Sequence, residues 1–306
     1  MAAAEYGRIK HPEAARRESV PSRRKIAAKK VTSTYGRAMN TELRAVVWRE
    51  SSLEHQGSSK TWWLFEPREL YNETRGGHLE SIRELEVPAT GRLGASNDQH
   101  TYEFLYVTFG RGRIKADKTT RELVPGDLIL LRPDTSWTLS PLASNTPAHC
   151  LSFGFRIPDK TERVSPAVST ETSLSHQTGM DVRSIHTVPP EVLPGTEAIV
   201  WWLYRPHEIR NPTHGGHVEL FCEFEIAGGA KINPHKHPTW EFYYPVFGRG
   251  SMTIGEHTRE IVPGDLTCIP PNQVHTVSPI SKYAPVRILT VAFGIEGGSP
   301  YDYTND

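Results

Sequence analysis

The sequence holds little cysteine, no net charge and no long apolar run. Its three cysteines, Cys150, Cys222 and Cys268, are odd in number, widely spaced and set in apolar segments. That excludes a disulfide framework and reads as reduced core thiols in a reducing compartment. No stretch of about 18 apolar residues occurs, which excludes a membrane-spanning helix. The N-terminus lacks the apolar region of a secretory signal, so a cytoplasmic location is expected. Lys plus Arg and Asp plus Glu each number 35 in 306 residues, so overall charge points to no polymeric partner. Long helical periodicity is also missing, and the best helical candidate is short, at Pro12–Arg17. No Ser-His-Asp arrangement, phosphate loop or dinucleotide fingerprint is present, and Gly248-Arg249-Gly250 reads as a hairpin.

What is present is turn-rich. Gly and Pro number 24 each against 37% hydrophobic residues, a mixture that favours short strands and enough apolar material for two modest cores. The zero charge conceals an asymmetry. Residues 1–40 carry ten Lys/Arg (Arg8, Lys10, Arg16, Arg17, Arg23, Arg24, Lys25, Lys29, Lys30, Arg37) and three acids (Glu5, Glu13, Glu18), so the tail is +7 and the remainder −7. No series of stacking aromatics accompanies these charges, which argues against nucleic acid as partner. The tail reads as a solvated arm, or as one that packs on an acidic partner subunit, and a homodimer or higher homo-oligomer is expected.

The chain repeats itself at an offset of 138–139 residues. Trp62-Trp-Leu-Phe-Glu66 matches Trp201-Trp-Leu-Tyr-Arg205. Tyr102-Glu-Phe104 matches Trp240-Glu-Phe242. Arg121-Glu-Leu-Val-Pro-Gly-Asp-Leu128 matches Arg259-Glu-Ile-Val-Pro-Gly-Asp-Leu266. The expected organisation is an arm over 1–40, a first domain over 41–158, a Ser/Thr-rich linker over 159–180 and a second domain over 181–300. Period-two alternation over 216–226 predicts a half-buried strand. With turn signals every ten residues or so, this points to an all-β, antiparallel sandwich or barrel in each repeat.

The second repeat carries Gly229-x5-His235-x-His237-x3-Glu241-x6-Gly248, then Gly264-x5-Pro270-x-Asn272-x2-His275. On a strand, His235, His237 and Glu241 share one parity and point to one side. Three imidazoles and a carboxylate suit Fe(II), Mn(II), Ni(II), Co(II) or Zn(II). The same parity places Lys231, Asn233 and Thr239 on the inward side as candidate substrate-binding residues, and Tyr243 as a hydrogen-bond donor. Arg205, on a preceding connection, is a candidate clamp for a substrate carboxylate. Trp240 and Phe242 are expected to face away. In the first repeat Asn97 and Gln99 stand where the histidines are, and Trp137 stands where His275 is. Amides and indoles are poor metal ligands, so that repeat is expected to be metal-free, with Trp137 filling it.

These motifs resemble the two signature motifs of the cupin superfamily, and the repeat extends the resemblance to a two-domain member, a bicupin. The resemblance implies a jelly-roll β-barrel per domain and metal ligands at His235, His237, Glu241 and His275. Cupins include several reaction classes, so it fixes no reaction. The leading reading is one divalent metal per chain, with Fe(II) first, in an oxygenase of dioxygenase type that takes dioxygen and a small organic substrate and uses Glu241 and Tyr243 in catalysis. The alternatives are a metal-dependent decarboxylase, isomerase or lyase, and a non-catalytic ligand-binding cupin.

Overall fold

The computed structural model describes residues 44–47, 51–65, 79–97, 101–156, 179–193, 196–206, 208 and 218–294. The basic arm with its Pro12–Arg17 helix candidate, most of the linker, and Gln99 lie outside the described residues. Among those described, every regular element is a strand, and no helix is long and apolar enough to cross a membrane.

The strands, in chain order, are β1 (Arg44–Val47), β2 (Ser52–Gln56), β3 (Ser59–Phe65), β4 (Leu79–Val87), β5 (Leu93–Ser96), β6 (Thr101–Phe109), β7 (Gly112–Ala116), β8 (Thr119–Leu123), β9 (Asp127–Leu131), β10 (Ser136–Pro141) and β11 (Ala148–Arg156). They continue as β12 (Met180–Ser184), β13 (Glu191–Val192), β14 (Ala198–Tyr204), β15 (Val218–Ile226), β16 (Trp240–Phe247), β17 (Gly250–Ile254), β18 (His257–Ile261), β19 (Asp265–Ile269), β20 (His275–Pro279) and β21 (Val286–Phe293). The first barrel pairs a seven-stranded sheet, β12-β9-β6-β11-β4-β3-β2, with a four-stranded one, β5-β10-β7-β8. The second pairs β1-β19-β16-β21-β15-β14-β13 with β18-β17-β20. This is the all-β, double jelly-roll architecture expected from the repeat. Two strands cross between repeats: β1 lies against β19 of the second barrel, with Arg44 opposite Cys268, and β12 lies against β9 of the first, with Val182 opposite Ile129.

The inner strands of both seven-stranded sheets are buried on both faces. Inside the first barrel, Leu85, Leu105, Val107, Ile129, Trp137 and Leu139 pack together. Inside the second, Leu220, Cys222, Phe224, Tyr243, Ile269 and Val277 do the same. A third core lies between the barrels, where the outer faces of the two large sheets meet through Phe104, Phe153 and Phe155 on one side and Phe221, Phe242 and Phe293 on the other. Phe104 stacks on Phe221 with centroids 4.7 Å apart. The expectation of a half-buried strand at 216–226 is corrected here. The residues of β15 opposite its barrel face, Glu219, Phe221 and Glu223, are 0–1% exposed, because the other barrel covers them. Two tyrosines join the barrels reciprocally: Tyr106 of β6 donates to Glu223 of β15, and Tyr244 of β16 donates to Glu84 of β4 at 3.1 Å. The cysteines are free and buried, as read from their setting.

The hairpin reading of Gly248-Arg249-Gly250 is corrected: β16 and β17 lie in different sheets and do not pair, so the segment, like Gly110-Arg111-Gly112 in the first repeat, is a turn that carries the chain from the large sheet to the small one. Gly110 and Gly248 have φ of +74° and +79°, and a Cβ there would meet the carbonyl oxygens of Pro147 and Pro285 at 2.0 and 2.2 Å. Only glycine fits both the left-handed backbone and the close approach of the neighbouring loop.

Candidate metal centre

The metal-ligand candidates meet at one end of the second barrel. One ligand atom from each of His235, His237, Glu241 and His275 lies within 4.8 Å of the others. Glu241 sits near the start of β16, flanked by Ile269 of β19 and Ala292 of β21, so the sheet itself fixes its position. His275 opens β20, and its backbone exchanges two hydrogen bonds with that of His235, at 3.0 and 2.8 Å. The His237 carbonyl accepts from the Asn272 N–H at 2.6 Å. Asn272 takes φ of +60°, a left-handed turn that asparagine tolerates, and this turn delivers His275 to the cluster.

The imidazole tautomers are set by the backbone. His235 Nδ1 lies 2.8 Å from the Asn233 carbonyl, and His275 Nδ1 lies 3.0 Å from the Gln273 carbonyl. A carbonyl only accepts, so each Nδ1 carries a proton, and each Nε2 is the ring nitrogen aimed at the cluster. His275 Nε2 is 3.0 Å from Glu241 Oε2, and His237 Nε2 is 3.9 Å from Oε1. Neither carboxylate oxygen has an aligned hydrogen bond, though Glu241 is 1% exposed. A carboxylate buried without an aligned donor beside three converging imidazole nitrogens is the arrangement a divalent cation satisfies. The cluster could therefore hold a divalent metal. Burial pushes the Glu241 carboxyl up, but the surrounding imidazoles outweigh it and hold the group at about 2. Burial and the neighbouring His275 bring His235 down to about 4. Both groups thus favour the unprotonated form that ligates; at His275 burial pulls the imidazole down, but the Glu241 carboxylate outweighs it and holds the group above its ordinary value.

The other candidates divide. Tyr243 is on the inward face with its hydroxyl 3.4 Å from His275 Nε2 and its ring against Phe224. Burial drives its phenol well above the ordinary value, so it stays a neutral donor. Thr239 is 1% exposed and its hydroxyl has no partner. Trp240 and Phe242 face away, into the core between the barrels. The inward placement of Lys231 and Asn233 is corrected. Residues 231–237 form no regular strand; Pro234 and Pro238 interrupt the ladder. Ile232 is the side chain that enters the core, while Lys231 and Asn233 are exposed. Asn233 contributes through its carbonyl. Arg205 pairs with Glu191, Nη1 lying 3.2 Å from its carboxylate, with both side chains close to half exposed.

Sequence reading missed a row of hydroxyls below the cluster. Thr267 and Thr290 flank Tyr243 in register on β19 and β21, and both are buried without hydrogen-bond partners. It also missed Arg83. That residue stands in the repeat position of Cys222, and its Nη2 pairs with Glu103, the counterpart of Glu241, and with Ser152 at 2.9 Å. In the first barrel a guanidinium thus neutralises the carboxylate that faces histidines in the second. Asn97 there turns its amide to the carbonyls of Leu131 and Arg132 at 3.2 and 3.1 Å, and Trp137 is buried among apolar neighbours. Aligning the repeats flags the exchange of Cys222 for Arg83.

Comparison with known proteins bears on the same barrel. A family model described as the cupin domain matches residues 222–292. An uncharacterized protein of Methanocaldococcus jannaschii is 33% identical over 88 residues, 28% of this chain and 70% of that protein. Among solved structures, protein Ylba of E. coli is similar with a TM-score of 0.60 at 13% identity, over 85% of this chain and 94% of that one. A putative glyoxylate-induced protein of Pseudomonas aeruginosa gives 0.62 at 13% identity, over 87% and 91%. A variant oxalate decarboxylase of B. subtilis gives 0.58 at 14% identity, over 84% and 78%. At such identities the likeness of the structures concerns the fold.

Proposed function

We propose, for a chain that belongs to the cupin superfamily and carries two of its barrels in tandem, that it is a mononuclear metal-dependent enzyme acting on a small organic molecule, and specifically an Fe(II)-dependent dioxygenase. The observation that carries the metal reading is the convergence of His235, His237, Glu241 and His275 within 4.8 Å, with the Glu241 oxygens lacking donors. A divalent ion held there supplies Lewis acidity and, as iron, redox chemistry toward dioxygen. The residues do the rest. The Asn233 and Gln273 carbonyls orient two imidazoles. Tyr243 offers an O–H to a substrate oxygen. Thr239, Thr267 and Thr290 give a buried polar floor that a substrate with oxygen functions would satisfy. The apolar barrel beneath them excludes water.

A second reading is non-oxidative: decarboxylation, isomerisation or elimination. The Tyr243 hydroxyl beside His275 favours it, since these reactions need a proton donor and a dioxygenase does not. Metal analysis of protein purified without added metal, followed by oxygen-uptake screening of small organic acids and alcohols, tests the first reading. Turnover of the same substrate under strict anaerobiosis would replace it with the second. A chain that retains no divalent metal and binds none on reconstitution would overturn both.

A further inference from the structure

We propose that the first barrel is a second, metal-free binding site, and that it takes a small monocarboxylate with an apolar body, anchored on Arg83. A cavity of about 280 Å³ opens between β2–β4 of its large sheet and β5 and β10 of its small one, walled by Arg83, Leu85, Leu93 and Trp137. It has room for about nine waters at roughly 30 Å³ each, or for a ligand of about that many non-hydrogen atoms. Trp137 is buried in the core of this barrel and leaves the cavity beside it.

The wall chemistry selects the ligand. The Arg83 guanidinium carries five N–H donors. Glu103 and Ser152 both bind Nη2 and Nε is sealed behind the wall, so in a side chain 23% exposed the Nη1 N–H groups are the donors left for the cavity. The group lies 5.4 Å from the Trp63 ring centroid, which holds its plane. The Trp137 indole N–H is likewise buried and unpartnered, in a side chain 4% exposed. That N–H lies behind the ring, which presents its face to the cavity. Leu85 and Leu93 are 2% and 5% exposed and make the rest of the wall apolar. Glu54 is on the rim, in the exposed strand β2. It opposes a second negative charge at the mouth. A monoanion with a hydrocarbon body fits these constraints. The metal centre has no part in the inference.

The test uses benzoate, with benzamide as its uncharged isostere, on the full chain after chelator treatment. That treatment prevents a metal in the second barrel from taking the carboxylate. Calorimetry should give one benzoate site per chain, with benzamide weaker by about tenfold or more, because charge-assisted bonds to guanidinium exceed neutral ones. The ¹⁵N–¹H signal of the Trp137 indole should shift on titration. Ala95→Leu narrows the cavity without touching Arg83 or Glu103, and should abolish the site while denaturant unfolding stays unchanged. Arg83→Gln should abolish it too, but leaves Glu103 unpaired, so Ala95→Leu is the deciding variant. Absence of benzoate binding, equal binding of benzamide, or binding that survives Ala95→Leu would overturn the proposal.

Discussion

Replacing Glu223 by Gln should remove a pH-dependent cost that the joint between the barrels carries. Glu223 is 1% exposed, and accepts a hydrogen bond from Tyr106 of the other barrel, with Arg287 Nε at 3.3 Å. Burial is the largest influence and outweighs Arg287, so the carboxyl is pushed up to about 7 from an ordinary 4.5. A folded-state value above the unfolded one means that the folded protein holds the proton more tightly. The associated stability is fully present below about pH 4.5 and is lost as pH rises through 7. At about 1.4 kcal/mol per pH unit, the loss is about 3.5 kcal/mol. Glutamine keeps the shape, still accepts from Tyr106 and cannot ionise. The quantity to measure is the stability of Glu223→Gln minus that of the parent, from denaturant unfolding at steps between pH 4 and 8.5. It should rise by about 3.5 kcal/mol across the interval and level off above pH 7. Subtraction cancels the other titrating groups. A flat or falling difference would show that the carboxylate is stabilised in its charged form, and that the Arg287 contact outweighs burial.

Three further outcomes are expected. His235→Ala should reduce bound metal to background while cooperative unfolding persists, because the apolar cores and not the ion hold the barrel; elemental analysis and a denaturant curve check both halves, and two tightly bound metals in the parent chain would contradict a metal-free first barrel. Glu241→Gln should lower metal content at limiting metal and lower the rate even when excess metal restores occupancy; unchanged content would remove the carboxylate from the ligand set. Gly57→Ala should cost about 1–2 kcal/mol, the strain of a left-handed residue, since nothing lies near its added Cβ, whereas Gly248→Ala should cost clearly more because its Cβ would lie 2.2 Å from the Pro285 carbonyl; equal losses in denaturant unfolding would refute the steric argument.

The repeat and the ligand spacing were legible in the sequence because both are local: strands of fixed period, turns of fixed chemistry, four ligand types in one frame. The faces of the large sheets were not. Alternation marks one side of β15 as apolar and leaves the other to chance, yet Phe221 on that other side is a signal that water does not cover it. Parity failed at Lys231 and Asn233 because it presumes a strand, and two prolines stand where the ladder would run. Arg83 carries no motif at all. It becomes visible only against its counterpart, where the loss of the histidines and the gain of a guanidinium are one event in charge balance.

The crossing of β1 and β12 bears on how this molecule can be dissected. Each repeat surrenders its leading strand to the sheet of the other. A cut anywhere between Arg156 and Met180 would leave two fragments, each still gripping the other's border, and they should co-purify as a nicked complex. The segment matched by the cupin model, 222–292, is the opposite case. Expressed alone it would lose β1 and bare the backbone of β19, a strand buried along its whole length, to any passing chain that offers a partner. What reads in sequence as a self-sufficient module is, in this protein, half of a clasp.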